Sequence, residues 1–308
     1  MQRCAWCRKR APAISFGMAR LPRTAVALVA LAALQVAPPV RPLAAQDSTS
    51  KRVIAPFDTQ HVHKTLFTRR DAALAGGFTA LTVAMFPVDR HIASRLQDPN
   101  TQANRFFNNS ATGVELITSP GAFIIGGGMY AIGRWGGHPN LEDVGWHGTE
   151  AVLLASAVTG ILKGTLGRAR PFVVNDTNPH DFKFGGGFTS SDRQSFPSGH
   201  TTTAFAAAAA VTSEMRRLHP DAVWYVGPVL YGGATLVGLS RMYHNKHWAS
   251  DVVLGAAIGT FGGLKVVRYS HTHPDNKIDR FMLHTSLVAL PNGQLGLAVS
   301  LPTSPSGP

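Results

Sequence analysis

The sequence predicts an all-α protein, a helical bundle of about six core helices with a small C-terminal β-hairpin. Three observations carry that expectation. Six apolar stretches, at 71–87, 113–133, 149–164, 200–215, 222–239 and 249–267, are rich in Ala, Gly, Leu and Val and are long enough for helices rather than strands. Small-residue runs such as IIGGGMYAIG, LYGGATLVG and LGAAIGTFGG let helix backbones approach closely. Beyond about residue 278 the texture changes to MLHTSLVAL, PNG and QLGLAVSL, which reads as two strands around an Asn-Gly turn.

Taken in order, residues 1–45 read as a secretory signal: basic residues, the apolar run TAVALVALAALQVA, then small residues ahead of a cleavage site near Ala45. Met18 begins a shorter signal of the same kind, and an uncleaved anchor is the alternative. Residues 46–70 are polar and read as a tether. The six helical stretches fill 71–270, and 271–308 form a tail holding the hairpin and the terminal TSPSGP.

Of the 29 Lys and Arg residues, seven fall in the first 45 positions, where there is no acidic residue, so the formal charge of +12 drops to about +5 beyond the signal. The basic excess is thus a targeting feature, and a nucleic-acid partner is not expected. Both cysteines, Cys4 and Cys7, lie in the same leading segment, and their CxxC spacing reads as incidental. The mature chain then carries no thiol.

Three polar segments interrupt the apolar pattern. In KGTLGRARP, Lys163 and Arg170 are seven apart, so on a helix ended by Pro171 they fall on one side and aim two cations at one spot, with Arg168 facing elsewhere. In SFPSGHTTTAF, Pro197, Ser198, Gly199 and His200 open an Ala-rich helix, whose free N–H groups suit an anion; a plain helix cap explains Ser198 equally well. In SRMYHNKHWASD, His247 and Asp251 are four apart, a spacing that lets the carboxylate accept a proton from one imidazole nitrogen. Arg241 adds a third cation. His244 and Lys246 are read as facing water and Trp248 as packing. Together these residues form the inventory needed for phosphoryl transfer through a covalent histidine: cations for the equatorial oxygens, an imidazole nucleophile and a proton donor.

KGTLGRARP, PSGH and SRMYHNKHWASD, in that order, resemble the three-part signature of the type 2 phosphatidic acid phosphatase and vanadium haloperoxidase superfamily over about 149–267. The resemblance implies His247 as nucleophile, Asp251 as the group that orients it, and His200 as general acid. It implies Lys163, Arg170, Ser198, Gly199 and Arg241 as phosphate-binding residues. A metal-independent phosphatase acting on phosphate mono- or diphosphate esters is expected, with no cofactor and no metal ligand, although vanadate would fit the phosphate site. Partners are a phosphorylated small molecule or lipid, with membrane association open.

Two other functions share parts of this inventory, a vanadium-dependent haloperoxidase and a non-catalytic membrane protein that binds anionic lipid. The second leaves His247 without a purpose. The stretch 173–195, long and glycine-bearing, reads as a lid, a specificity element or a mobile connector. Its His180 and Asp181 lack the further ligands a metal would need. Mean hydropathy of +0.03 is low for a six-span protein, so a periplasmic or secreted globular bundle is expected, with an integral membrane protein as the alternative.

Overall fold

The computed structural model of the chain describes residues 65–118, 121–273, 276–289 and 295–299. The signal and most of the tether, 1–64, lie outside the described residues, as does the terminal TSPSGP.

Helix α1 (Arg69–Met85) starts at Thr68, whose hydroxyl accepts from the Asp71 N–H while the Asp71 carboxylate accepts from the Thr68 N–H. This reciprocal cap satisfies two backbone donors that a helix start leaves open. Pro87 then tightens the chain into a 3-10 turn before α2 (Asp89–Leu96), and Asp98 caps the short α3 (Pro99–Gln102). Next come α4 (Arg105–Thr118), α5 (Gly121–Gly136) and α6 (Pro139–Leu166). The expected helix at 113–133 is therefore shared between α4 and α5. The one expected from 149 starts ten residues earlier, where Pro139 occupies the first turn that its missing N–H suits.

The functional half consists of α6, α7 (Gly199–Leu218), α8 (Val223–Tyr243) and α9 (Ala249–Thr272). The tightest pair is α7 and α9. Gly255, Gly259 and Gly263 make a stripe at four-residue spacing on α9, and a Cβ on Gly259 would stand 2.3 Å from the Thr202 carbonyl. Only glycine admits that approach, so the sequence run LGAAIGTFGG is spent on backbone-to-backbone packing. Ala151, Val152, Ala155, Ala206, Ala210, Val266 and Val267 fill the core that α6, α7 and α9 share. After α10 (Lys277–His284), β1 (Thr285–Ala289) and β2 (Leu295–Val299) pair antiparallel with Thr285 opposite Val299. The Asn-Gly turn expected between them lies outside the described residues.

Among the described residues, four stretches are long and apolar enough to cross a membrane: Arg69–Leu96, Pro139–Leu166, Pro220–Tyr243 and Ala249–Thr272. Their outward faces carry large apolar side chains, among them Val83 at 63 %, Ile161 at 62 % and Val229 at 72 % exposure. Trp224 and Tyr225, amphipathic rings suited to an interface, stand exposed at the start of α8. An apolar surface of this extent needs a nonaqueous neighbour, which favours the integral-membrane alternative over the globular periplasmic bundle expected from the mean hydropathy. The average misled because the polar tether and loops dilute the helices.

Candidate active site

Successive core helices run antiparallel, so the end of α6, the start of α7, the end of α8 and the start of α9 fall at one end of the bundle. Lys163 sits in the last turn of α6. That helix stops at Leu166 because Gly167 turns left-handed at φ 59°, and a Cβ there would lie 1.9 Å from the Lys183 carbonyl. The expectation that Arg170 continues the Lys163 face up to Pro171 is thus corrected: Arg170 lies beyond the helix in extended backbone, donating to the Ser191 carbonyl at 3.0 Å. Burial, then the neighbouring Arg241 charge, lower its proton affinity below that of an ordinary guanidinium, which places both arginines in one electrostatic neighbourhood.

Ser198 is the N-cap residue of α7 but makes no side-chain cap bond, so the plain-cap explanation fails. Its hydroxyl oxygen instead accepts from Thr201 at 2.9 Å, which leaves its own hydrogen for another acceptor. Gly199 lies against Lys163, whose Cε would be 3.5 Å from a Cβ at that position. His200 follows in the first turn, half-buried. The Lys163 ammonium donates to the Gln194 carbonyl, tying the first motif to the second. Arg241, buried, belongs to the last turn of α8.

His247 is not on a helix. It precedes Trp248, the N-cap of α9, and Asp251 is the third residue of that helix. Their relation also differs from the expected direct pair. His247 Nδ1 lies 2.7 Å from the Ser195 carbonyl and 3.6 Å from Asp251 Oδ2. A carbonyl only accepts, so Nδ1 carries the hydrogen and Nε2 keeps its lone pair. The side chain is 2 % exposed, and burial, joined by the Lys163 and Arg170 charges, outweighs Asp251 and lowers its pKa to about 3. The imidazole is neutral at physiological pH, as a nucleophile must be.

Asp251 acts through its surroundings. Oδ2 accepts from Ser195 Oγ at 2.5 Å and from the Trp248 N–H at 2.8 Å, while Oδ1 accepts from Arg168 at 2.5 Å. It thereby holds the chain next to His247, through the Trp248 N–H, and the serine whose carbonyl orients the imidazole. The backbone joins in, with the Ser198 N–H donating to the Asp251 carbonyl at 2.9 Å and Trp248 Nε1 to the Ala169 carbonyl at 3.0 Å. Trp248 is 1 % exposed and packs, as expected.

Three residues outside the expected set hold this arrangement. Arg168 is fully buried and joins Asp251, at 2.5 Å, to Asp89 of α2, at 2.7 Å. The guanidinium sits among four rings, those of Phe86, Phe182, Phe196 and Trp248, at 4.8 to 5.6 Å. Asp89 also accepts from the Ser250 N–H and hydroxyl. Ser195 is the third. The stretch 173–195 is a built loop rather than a mobile connector: Asp181 and Arg193 pair through two contacts at 3.0 and 3.1 Å, and Ala169, Arg170 and Ser195 bond to its backbone or across it. Its His180 stacks on Phe86. Lys246 lies over the Phe172 ring at 4.7 Å.

Residues 146–275 match the family model described as "PAP2 superfamily". The match covers 130 of the chain's 308 residues. The PAP2 region is similar in sequence to two proteins named lipid A 1-phosphatase. That of Porphyromonas gingivalis is 46 % identical over 69 residues, 22 % of this chain and 15 % of that protein. That of Rhizobium johnstonii is 32 % identical over 117 residues, 37 % of this chain and 42 % of that protein. The chain therefore spans less than half the length of either relative. Among solved structures, a transmembrane PAP2-type phosphatidylglycerolphosphate phosphatase from Bacillus subtilis aligns with TM-score 0.44 and 23 % identity, covering 70 % of this chain and all of that one. LpxE from Aquifex aeolicus aligns with TM-score 0.36 and 23 % identity, covering 59 % and 94 %.

Proposed function

We propose that the protein is a membrane-embedded lipid phosphatase that hydrolyses a phosphate monoester or diphosphate through a phosphohistidine at His247. The observation that carries this reading is the Nδ1 bond to the Ser195 carbonyl, which leaves Nε2 as an unprotonated nucleophile beside Lys163 and Arg170.

His247 Nε2 attacks phosphorus and the bond to the leaving oxygen breaks. His200 gives that oxygen a proton. Lys163, Arg170 and Arg241, with the Ser198 hydroxyl and the Gly199 N–H at the α7 start, bind the phosphoryl oxygens as charge spreads over them. Water, losing a proton to His200, then cleaves the P–N bond and restores both imidazoles. The step uses no metal.

The lipid part of the reading rests on the exposed apolar helix faces, on Phe184 and Phe188, which are 86 % and 70 % exposed on the loop beside Lys163, and on the lipid A phosphatase names of two relatives. A panel of lipid phosphates, lipid diphosphates, sugar phosphates and nucleotides, assayed in detergent with chelator present, tests it. Phosphate release from the lipid members is the expected result. Release confined to soluble esters, or dependent on added metal, would overturn the reading.

A further inference from the structure

We propose that His147, Glu214 and His271 form a binding site for a zinc-type divalent cation at the end of the bundle opposite the phosphate-site motifs. His147 is sixteen residues before Lys163 on α6, and Glu214 is fourteen after His200 on α7. His271 is twenty after Asp251 on α9. At 1.5 Å per residue the cluster is about 20–30 Å from the phosphate site. The inference does not rest on the phosphatase reading.

One ligand atom from each residue, two imidazole nitrogens and a carboxylate oxygen, lies within 4.8 Å of the others. Glu214 Oε1 is 2.6 Å from His147 Nδ1 and 2.7 Å from His271 Nε2, and the two rings stand perpendicular at 5.2 Å. Tetrahedral coordination at about 2.0–2.1 Å needs these spacings to open by roughly 0.6 Å. His271, one residue from the end of α9 and 26 % exposed, has the room to move.

A purely hydrogen-bonded cluster leaves a defect. If His147 Nδ1 donates to Glu214, its Nε2, in a side chain 2 % exposed, is buried with no hydrogen-bond partner. A cation on Nδ1 reverses the tautomer, placing the hydrogen on Nε2, which faces Asp279 Oδ2 at 3.8 Å. Asp279 is itself held by Trp146 Nε1 at 2.9 Å and Asn276 at 3.0 Å. A ligating imidazole backed by an anchored carboxylate is the usual outer arrangement of a zinc site. On the carboxylate side, Arg217 lies 3.4 Å from Glu214 Oε2 and 3.5 Å from Asp143. Two nitrogens and one oxygen suit zinc or cobalt better than magnesium or calcium. The cation would fasten together α6, α7 and α9, the helices that carry or flank all three motifs.

The test is metal content of the full chain purified in detergent, stripped with chelator and dialysed against zinc, for wild type, His271→Ala, Glu214→Gln and, as a control two residues away, His273→Ala. Cys4 and Cys7 are common to every arm, so the difference between arms is read. Wild type and H273A should hold one more zinc per chain than H271A and E214Q. Zinc should raise the melting temperature of the first pair only, and cobalt should give the tetrahedral visible spectrum only there. Should E214Q fail to fold, the half-exposed H271A carries the comparison. Equal zinc content and equal melting shifts in wild type and H271A would overturn the site, whatever the phosphatase activity of either.

Discussion

Arg168 Nη1 stands 2.5 Å from Asp251 Oδ1, both side chains fully buried, so the carboxylate nearest the candidate nucleophile is anchored by an arginine. The same guanidinium reaches Asp89, which makes one cation the counter-charge of two buried carboxylates. Arg168→Ala would strand both, at a cost of about 3–5 kcal/mol. Arg168→Lys keeps the charge but not the fork, and should lose less stability while lowering kcat with KM little changed. Thermal denaturation and steady-state kinetics in detergent check both. Equal stability of the alanine variant and wild type would show that the pair carries nothing.

Histidine 247 has a folded pKa near 3 against about 6.5 when unfolded, because burial penalises its charged form. Between those values the unfolded chain binds a proton that the folded chain does not. The stability it lends is therefore complete above pH 6.5 and is lost as pH falls toward 3. Melting curves at pH 7 and pH 4.5 should show a smaller acid loss for His247→Asn than for wild type. The same acid loss in both would contradict a neutral, buried imidazole.

The two motif glycines separate fold from chemistry. Gly167→Ala meets a left-handed backbone and the Lys183 carbonyl, so it should destabilise by more than about 1 kcal/mol. Gly199→Ala meets only Lys163 Cε at ordinary contact distance. It should melt like wild type and yet lose phosphatase activity, since a methyl would crowd the phosphoryl oxygens. Activity assays paired with melting temperatures distinguish the two.

His200, as proton donor, should matter in proportion to the leaving group. His200→Gln should cost about 10²–10⁴-fold in kcat with an alkyl phosphate. With p-nitrophenyl phosphate, whose leaving group needs no proton, the cost should be far smaller. Equal losses on both substrates would remove His200 from that role.

Phe184 and Phe188, exposed on the loop, should act on lipid substrates only. Replacing both with Ser should lower kcat/KM on a vesicle-borne lipid phosphate by roughly tenfold, the worth of burying one phenyl ring, and leave a soluble ester unaffected. Parallel assays on the two substrates decide.

What the sequence made legible was the set of groups; what it hid was how they are held. Lys163, Ser198, Gly199, Arg241, His247 and Asp251 stand at helix ends that any apolar pattern marks, so their convergence follows from antiparallel helices. Arg170 was misplaced because helical spacing was carried across Gly167, although a glycine four residues before a proline is itself a stop signal. Asp89, Arg168 and Ser195 were invisible because their partnerships span up to 161 residues and have no period. The only local hint was Asp89, a lone acid beside the apolar AMFPV. The His147, Glu214 and His271 cluster escaped for the same reason, each member alone on its own helix.

The most direct measurement is alkaline-quench trapping of the enzyme with a phosphate-labelled lipid substrate. Label bound to the peptide containing His247, stable in alkali, labile in acid and absent from His247→Ala along with turnover, is the predicted result. Continued phosphate release by His247→Ala, or label on a different residue, would contradict the account.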